Sequence, residues 1–420
     1  MIDQNRLRPI LEAARGDVQS LLCRLIAVPS TRGQEGPALG IMREALASVC
    51  DSSTDVTIPE TIQNDRDYAF KLPSLTYADR PNVAAVRQGA GRGPAVFLNT
   101  HLDVVPASVG QERAFDPRVE GETVFGRGAC DAKGQAATIY AVMRALKELD
   151  LRLPGPVEAH LVVEEENGGN GTLAMIRHLE ATRGRRCAAA AVVLEPSNLR
   201  IMPSVRGAVW FQLKCFGRPG HSGTPGSSVS ALKKAVLAMQ VLEDYHDRLL
   251  TASRGRNPLF DAFANPMPVT FGVCEAGNWP AAAPAEATLK GVFGFLPPKS
   301  RHQVQKEMAE ALRQSDDEYL REHFELTFPM LNSDGNELDP GHALVTALQD
   351  GLRSVGVEPC LSALTGSCDA WFYANQLEIP TVVFGPGDLG TAHGKDEQIK
   401  IGEILRAAET LVLAIERLGR

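Results

Sequence analysis

At 420 residues the chain exceeds one ordinary hydrophobic core, and a prior of roughly 150 residues per domain allows two or three. Hydrophobic residues make up 44% and charged residues 22%, an average globular composition that leaves little room for disorder. A net charge of -8, with no basic block and no aromatic-basic stripe, argues against a nucleic-acid or anionic-membrane footprint and for a small-molecule substrate.

The eight cysteines form no C-x-x-C pair and sit mostly in apolar runs, as free thiols of a reducing cytoplasm do. The polar start lacks a signal-peptide core, and no apolar run approaches the roughly 18 residues that would span a bilayer. Asn170-Gly-Thr matches a glycosylation sequon, a chance match in a cytoplasmic protein.

In chain order, apolar spacing predicts helices over Leu7 to Ala27 and Pro37 to Val49. Asp51 to Pro81, broken by Pro59, Pro73 and Pro81, reads as a long polar excursion over the surface. Strands follow at Asn82 to Arg87 and Ala95 to Asn99, then helix Gln135 to Leu149, strand Val157 to Val163, helix Thr172 to Thr182 and strand Ala189 to Leu194. The last two strands read as apolar throughout rather than alternating, which suits a largely parallel sheet covered on both faces.

The pattern changes near Arg206. Strand Val209 to Phe216, helix Val229 to Leu250, strands Val269 to Cys274 and Ala287 to Phe295, helix Gln303 to Tyr319 and strand Phe324 to Phe328 give β-α-β-β-α-β, the order of a ferredoxin-like sandwich. After Pro340 the α/β pattern resumes with helix His342 to Val355, a short segment near Ser362, helix Asp369 to Gln376, strand Thr381 to Phe384 and helix Ile401 to Leu418. The expected fold is therefore α/β: a discontinuous catalytic domain, residues 1–205 and 329–420, with a mostly parallel sheet flanked by helices, and an inserted α+β domain, residues 206–328. Ligands of open α/β sheets bind at the strands' carboxyl edge.

Candidate chemistry gathers at that edge. Residues i and i+2 of a strand face one side, so His101 and Asp103 can meet where the strand from Phe97 ends, in the manner of an oriented metal-binding histidine. Asp131 lies in the glycine-rich loop Gly126-Arg-Gly-Ala-Cys-Asp-Ala-Lys-Gly, whose spacing fits neither a P-loop nor G-x-G-x-x-G. Glu164-Glu-Glu follows a buried strand, where three adjacent carboxylates repel unless cations or protons intervene. Glu195 ends the next strand, and His393 follows the last. His101, Asp131, Glu165 or Glu166, Glu195 and His393 form a nitrogen-and-oxygen donor set suited to two divalent cations, zinc foremost, with cobalt and manganese equally accommodated. Two such cations support hydrolysis, and the triple glutamate has one carboxylate to spare as general base.

With these residues the chain resembles the M20 family of metallopeptidases and deacylases. The likeness rests on Arg80-Pro-Asn, His101-Leu-Asp103, Gly126-Arg-Gly to Lys133-Gly, Glu164-Glu-Glu with Gly171, Glu195-Pro-Ser, Gly220-His221-Ser, and Phe384-Gly-Pro-Gly to His393 and Glu397. The resemblance implies that His101, Asp131 and Glu195 hold one metal and Asp131, Glu166 and His393 the other. It makes Glu165 the general base and Asp103 the residue that orients His101, and it implies a cis peptide at Asp131-Ala132. It further implies that His221 and Asn278 of the inserted domain contact substrate, and that this domain's outer helix or edge strand builds a homodimer. Two departures bear on substrate: Asp369-Ala-Trp371 carries an indole where the family often has an arginine, and the arginine common near the end of the inserted domain's third strand is missing from Gly-Val-Phe-Gly-Phe295. A substrate carboxylate would lose a bidentate partner, and the expectation is an atypical acyl-amino substrate with an aromatic or apolar group bound at Trp371.

The expected function is di-metal hydrolysis of an N-acyl or peptide C–N bond. The alternatives are hydrolysis of a non-peptide C–N bond in an aryl amine or heterocyclic amide, and a non-catalytic scaffold.

Overall fold

The computed structural model describes residues 4–71, 75–151, 153–221, 223 and 226–419. The chain divides into two compact units: Met1–Ser204 with Glu337–Leu364 and Cys368–Arg420, and Val205–Asn336 with Thr365–Ser367.

The larger unit is built on a sheet whose centre is parallel. Strand Ala95–His101 lies between Val157–Val162 and Ala188–Val193, parallel to both, and Thr381–Val383 continues the parallel set beyond Ala188–Val193. All seven residues of Ala95–His101 are buried, as a strand covered on both faces requires. The margins are antiparallel: Asn82–Arg87 pairs with Val157–Val162, and Ile201–Val205 meets Thr381–Val383. Helices Gln4–Ile26, Lys133–Glu148 and Ile401–Leu418 pack on one another, each burying its apolar stripe.

Several expectations change. The polar excursion contains an edge strand, Ser52–Val56, antiparallel to Asn82–Arg87, and a 3-10 turn at Glu60–Asn64. Pro73 lies outside the described residues. Strand Val157–Val162 is not purely apolar: Glu158 pairs with Arg183, and His160 Nδ1 lies 3.0 Å from the Tyr373 hydroxyl. The segment near Ser362 is a strand, Leu361–Leu364, and the helix expected over Asp369 to Gln376 contains a π turn at Phe372–Gln376. A small sheet with no counterpart among the expected strands joins Arg118–Glu120, Thr123–Phe125 and Gln398–Lys400.

The smaller unit is a β-α-β-β-α-β sandwich. Its antiparallel sheet runs in the order Val269–Ala276, Glu286–Phe295, Gly207–Phe216, Phe324–Thr327. The helix expected over Gln303 to Tyr319 is two, Arg301–Arg313 and Glu318–Glu322, because Asp317 caps a new turn by accepting the Leu320 N–H.

One glycine fixes the register between strand and helix at the site. Helix Asn170–Arg183 begins against the end of strand Val157–Val162, where the Gly171 N–H donates to the Val163 carbonyl at 3.1 Å and the Asn82 amide donates to the Gly171 carbonyl at 2.7 Å. A Cβ on Gly171 would stand 2.3 Å from the Val163 oxygen and 2.6 Å from the Val163 nitrogen. Gly171→Ala is therefore expected to destabilise the protein by about 1–3 kcal/mol through forced backbone displacement; the urea midpoint of the larger unit checks this, and an unchanged midpoint would contradict it.

Candidate metal centre

Five of the sequence-predicted residues converge at the carboxyl edge of the parallel strands. His101 closes its strand, Glu165 and Glu166 follow Val157–Val162, Glu195 follows Ala188–Val193, and His393 lies in the loop beyond Thr381–Val383. Asp131 arrives differently. It comes from the glycine loop between the small sheet and helix Lys133–Glu148, and the Asp131–Ala132 peptide is cis.

Asp131 presents one oxygen to each histidine: Oδ1 is 3.0 Å from His101 Nε2, and Oδ2 is 3.4 Å from His393 Nε2. Glu195 Oε2 lies 3.9 Å from His101 Nε2, and Glu166 Oε1 lies 2.8 Å from His393 Nε2. Two sets could each hold a cation, His101–Asp131–Glu195 and Asp131–Glu166–His393, with the donor atoms of each set within 4.8 Å of one another. The donors are hard oxygens and imidazole nitrogens in the mixture that zinc, cobalt and manganese accept, so the residues fit such ions.

The electrostatics favour cations here. Burial pushes the Glu165, Glu166 and Glu195 carboxyls up; His101 and His393 oppose the rise, but the neighbouring carboxylates add to it. Burial would also raise Asp131, but its hydrogen bonds with both histidines win and hold it below the usual carboxylate range. His393 is driven up to about 10 by its hydrogen bonds to Asp131 and Glu166, against a smaller effect of burial.

Around these donors is a supporting layer. Asp103 accepts the backbone N–H groups of Glu165 (3.1 Å) and Glu166 (3.0 Å), pinning the glutamate turn. Its link to His101 differs from the expected carboxylate contact: His101 Nδ1 is nearest the Asp103 main-chain oxygen at 3.0 Å, with the carboxylate Oδ1 at 3.4 Å. Glu164 takes no part in the donor sets. Its backbone is left-handed (φ 59°), and its carboxylate is held by Arg80 (2.5 Å), Asn170 (2.7 Å) and the Tyr77 hydroxyl (3.1 Å). Arg80 also grips both oxygens of buried Glu35 at 3.0 Å. Burial and the Asp103 charge raise Glu35 to about 7 although Arg80 opposes them.

Three further residues were expected to contact substrate. Trp371 is 4% exposed and packs its indole on Phe372, with ring centroids 4.0 Å apart. His221 and Asn278 belong to the smaller unit and are exposed; Ser222 lies outside the described residues. Glu35, Ser108 and Thr172 received no role from the sequence. Arg80, Arg127, Asp369 and Glu397 stand inside or beside the motifs read from the sequence, without a role of their own there.

The comparisons with known proteins agree with this geometry. The model of peptidase family M20/M25/M40 matches residues 97–417. The chain belongs to this family. It is similar to the N-formyl-4-amino-5-aminomethyl-2-methylpyrimidine deformylase of Bacillus subtilis, 26% identical over 80% of this chain and 82% of that one. The acetylornithine deacetylase of Myxococcus xanthus is also 26% identical, over 80% of this chain and 84% of its own. Among solved structures, an M20 family metallo-carboxypeptidase from Sulfolobus solfataricus superposes with a TM-score of 0.73 at 15% identity, covering 96% of this chain and 99% of the other, a likeness of fold. As a member of this family the chain is a metal-dependent amidohydrolase.

Asp369 gives this M20 centre a pH signature. It is buried, accepts the Thr172 hydroxyl at 2.6 Å, and is raised by burial, with the Asp103 charge adding, to about 7 from an ordinary 3.8. A carboxyl whose folded pKa lies above its unfolded value costs stability as it ionises, so this group's contribution falls as pH rises from about 4 to about 7. In metal-free protein, Asp369→Asn, which keeps an acceptor for Thr172, is expected to make the fall of the thermal midpoint over that range shallower. An unchanged slope would contradict the assignment.

Proposed function

We propose that the chain hydrolyses the C–N bond of a small N-acyl amine or peptide, with two cations held by the sets His101–Asp131–Glu195 and Asp131–Glu166–His393. The observation that carries this reading is the division of Asp131's two oxygens between two histidines, each backed by a further carboxylate, with Glu165 left over. Divalent cations in these sets, zinc foremost and cobalt or manganese on the same donors, supply Lewis acidity to the scissile carbonyl and acidify the attacking water.

Glu165 is the proposed general base. Among the described residues it has no hydrogen-bond donor, its burial favours the proton-bound form, and its backbone is immobilised by Asp103. It removes one proton from the attacking water and delivers it to the leaving nitrogen, so that hydroxide adds to the carbonyl carbon as the C–N bond breaks. Asp103 positions both His101 and the glutamate turn. His221 and Asn278, an imidazole and a carboxamide on exposed positions, are proposed as substrate contacts by their capacity to donate to a carbonyl oxygen.

A second reading concerns the substrate's other end. Arg80 is occupied by Glu35 and Glu164 and Arg127 by Glu397, and Trp371 stands where the family often places an arginine. A carboxylate-free substrate bearing an aromatic or heteroaromatic ring fits this lack, and the similarity to a deformylase named for a pyrimidine supports it. For location, all eight cysteines are free, and among the described residues no helix is long and apolar enough to cross a membrane; a reducing cytoplasm is the proposed setting.

The proposed assembly is a homodimer through the smaller unit. Helix Ala231–Ser253 leaves Leu232, Val236 and Leu237 41%, 58% and 41% exposed, and strand Val269–Ala276 is an open sheet edge. Val236→Asp is expected to shift the sedimentation of the wild-type dimer to that of a monomer; a wild-type monomer would sink the proposal.

The deciding experiment is a substrate panel of N-formyl, N-acetyl and N-succinyl amino acids, dipeptides and carboxylate-free aryl amides, run with metal-loaded, chelator-stripped and Glu165→Gln protein. Glu165→Gln is expected to lower kcat by about 10²- to 10⁴-fold with metal content retained. Turnover that survives chelation or the substitution would refute the mechanism, and turnover confined to carboxylate-free amides would establish the second reading.

A further inference from the structure

The loops carrying Asp131 and His393 are joined by a connection outside both donor sets that is buried at Arg127 and Glu397. Arg127 and Glu397, both buried, form an ion pair. Glu397 Oε1 accepts the backbone N–H groups of Cys130 and Asp131, each at 3.1 Å, which fixes the loop presenting Asp131. On its other edge the Arg127 guanidinium donates to Ser108 Oγ at 2.6 Å and to the His393 carbonyl at 3.3 Å, and Ser108 Oγ donates to the same carbonyl at 2.5 Å. His393 has a left-handed backbone (φ 59°), a conformation that persists where its surroundings over-determine it. The two loops are also adjoined by the small sheet, in which Phe125 pairs with Gln398.

We propose that Arg127, Glu397 and Ser108 are positioning residues that set the distance between Asp131 and His393, and so determine cation affinity chiefly at the Asp131–Glu166–His393 set. This rests on the two-cation reading above. None of the three belongs to either donor set; they act on the His393 carbonyl and on the Cys130 and Asp131 N–H groups, at and beside residues that would hold a cation. His101 and Glu195 are attached to their own strands and do not depend on this connection, so the consequence is asymmetric. Supporting partners of metal ligands are commonly worth 10- to 100-fold in affinity.

The test is titration of metal-stripped full-length protein with Co²⁺, followed by calorimetry and by visible absorption, with wild type, Ser108→Ala and Glu397→Gln. Ser108→Ala leaves the ion pair intact and serves as the variant that keeps its fold; circular dichroism of the metal-free form checks this. The expected result is two sites in wild type and, in Ser108→Ala, about 10-fold weaker binding at one site with the other unchanged. Glu397→Gln is expected to weaken the same site further, by up to about 100-fold. Fewer than two sites in wild type would overturn the two-cation reading itself. Two sites in wild type with wild-type affinities in Ser108→Ala, or with both sites weakened equally, would overturn the positioning role alone.

Discussion

Repulsion among buried carboxylates is the constraint on which this structure depends. Asp131, Glu165, Glu166, Glu195 and Asp369 meet at one sheet edge, and the neighbouring carboxylates raise Glu165, Glu166 and Glu195 on top of burial. Such a cluster does not arise from packing, because each ionised member raises the cost of the next. It persists because rigid elements hold every member: parallel strands for Glu195 and the glutamate turn, the glycine loop for Asp131, and the buried neighbours Cys368 and Ala370 for Asp369. The scaffold's stability is spent on holding these carboxyl groups together.

How those charges are fixed explains what the sequence could and could not reveal. The i, i+2 relation of His101 and Asp103 was legible because strand geometry dictates it, and the non-alternating runs that end in Glu164 and Glu195 disclosed strands buried on both faces. Glu164, Glu165 and Glu166 are chemically identical in sequence, however. Only the left-handed backbone at Glu164, with Arg80, Tyr77 and Asn170 converging on its carboxylate, separates it from its neighbours. Glu35 is less visible still: it lies 45 residues from Arg80, and no local pattern marks it.

Missed elements share a cause. Ser52–Val56 buries one residue of five, so an edge strand made of serine, threonine and aspartate has no apolar alternation to read. The three-residue strands Arg118–Glu120 and Thr123–Phe125 are too short for any period, and their partner Gln398–Lys400 is distant in sequence. Helix boundaries after Gln314 failed for the opposite reason: the cue was present, since Ser-Asp-Asp supplies a cap, but apolar spacing continued through it. Long, strongly periodic elements such as Ile401–Leu418 were legible because burial of one face determines them.

The protein's own cations are distributed so that the donor carboxylates stay uncompensated. Arg80 serves Glu35 and Glu164, Arg127 serves Glu397, Arg177 serves Asp65 and Asp67, and Arg183 serves Glu158. Each of these acids anchors the excursion, fixes a loop or secures a strand. Among the described residues, Asp131, Glu166 and Glu195 have only histidines as ionic partners, and Glu165 has none. Had an arginine stood among them it would have satisfied the cluster permanently and displaced exchangeable ions. By assigning guanidinium groups to the supporting acids and imidazoles to the donor acids, the sequence divides its buried carboxylates into those that hold the scaffold and those with no guanidinium partner.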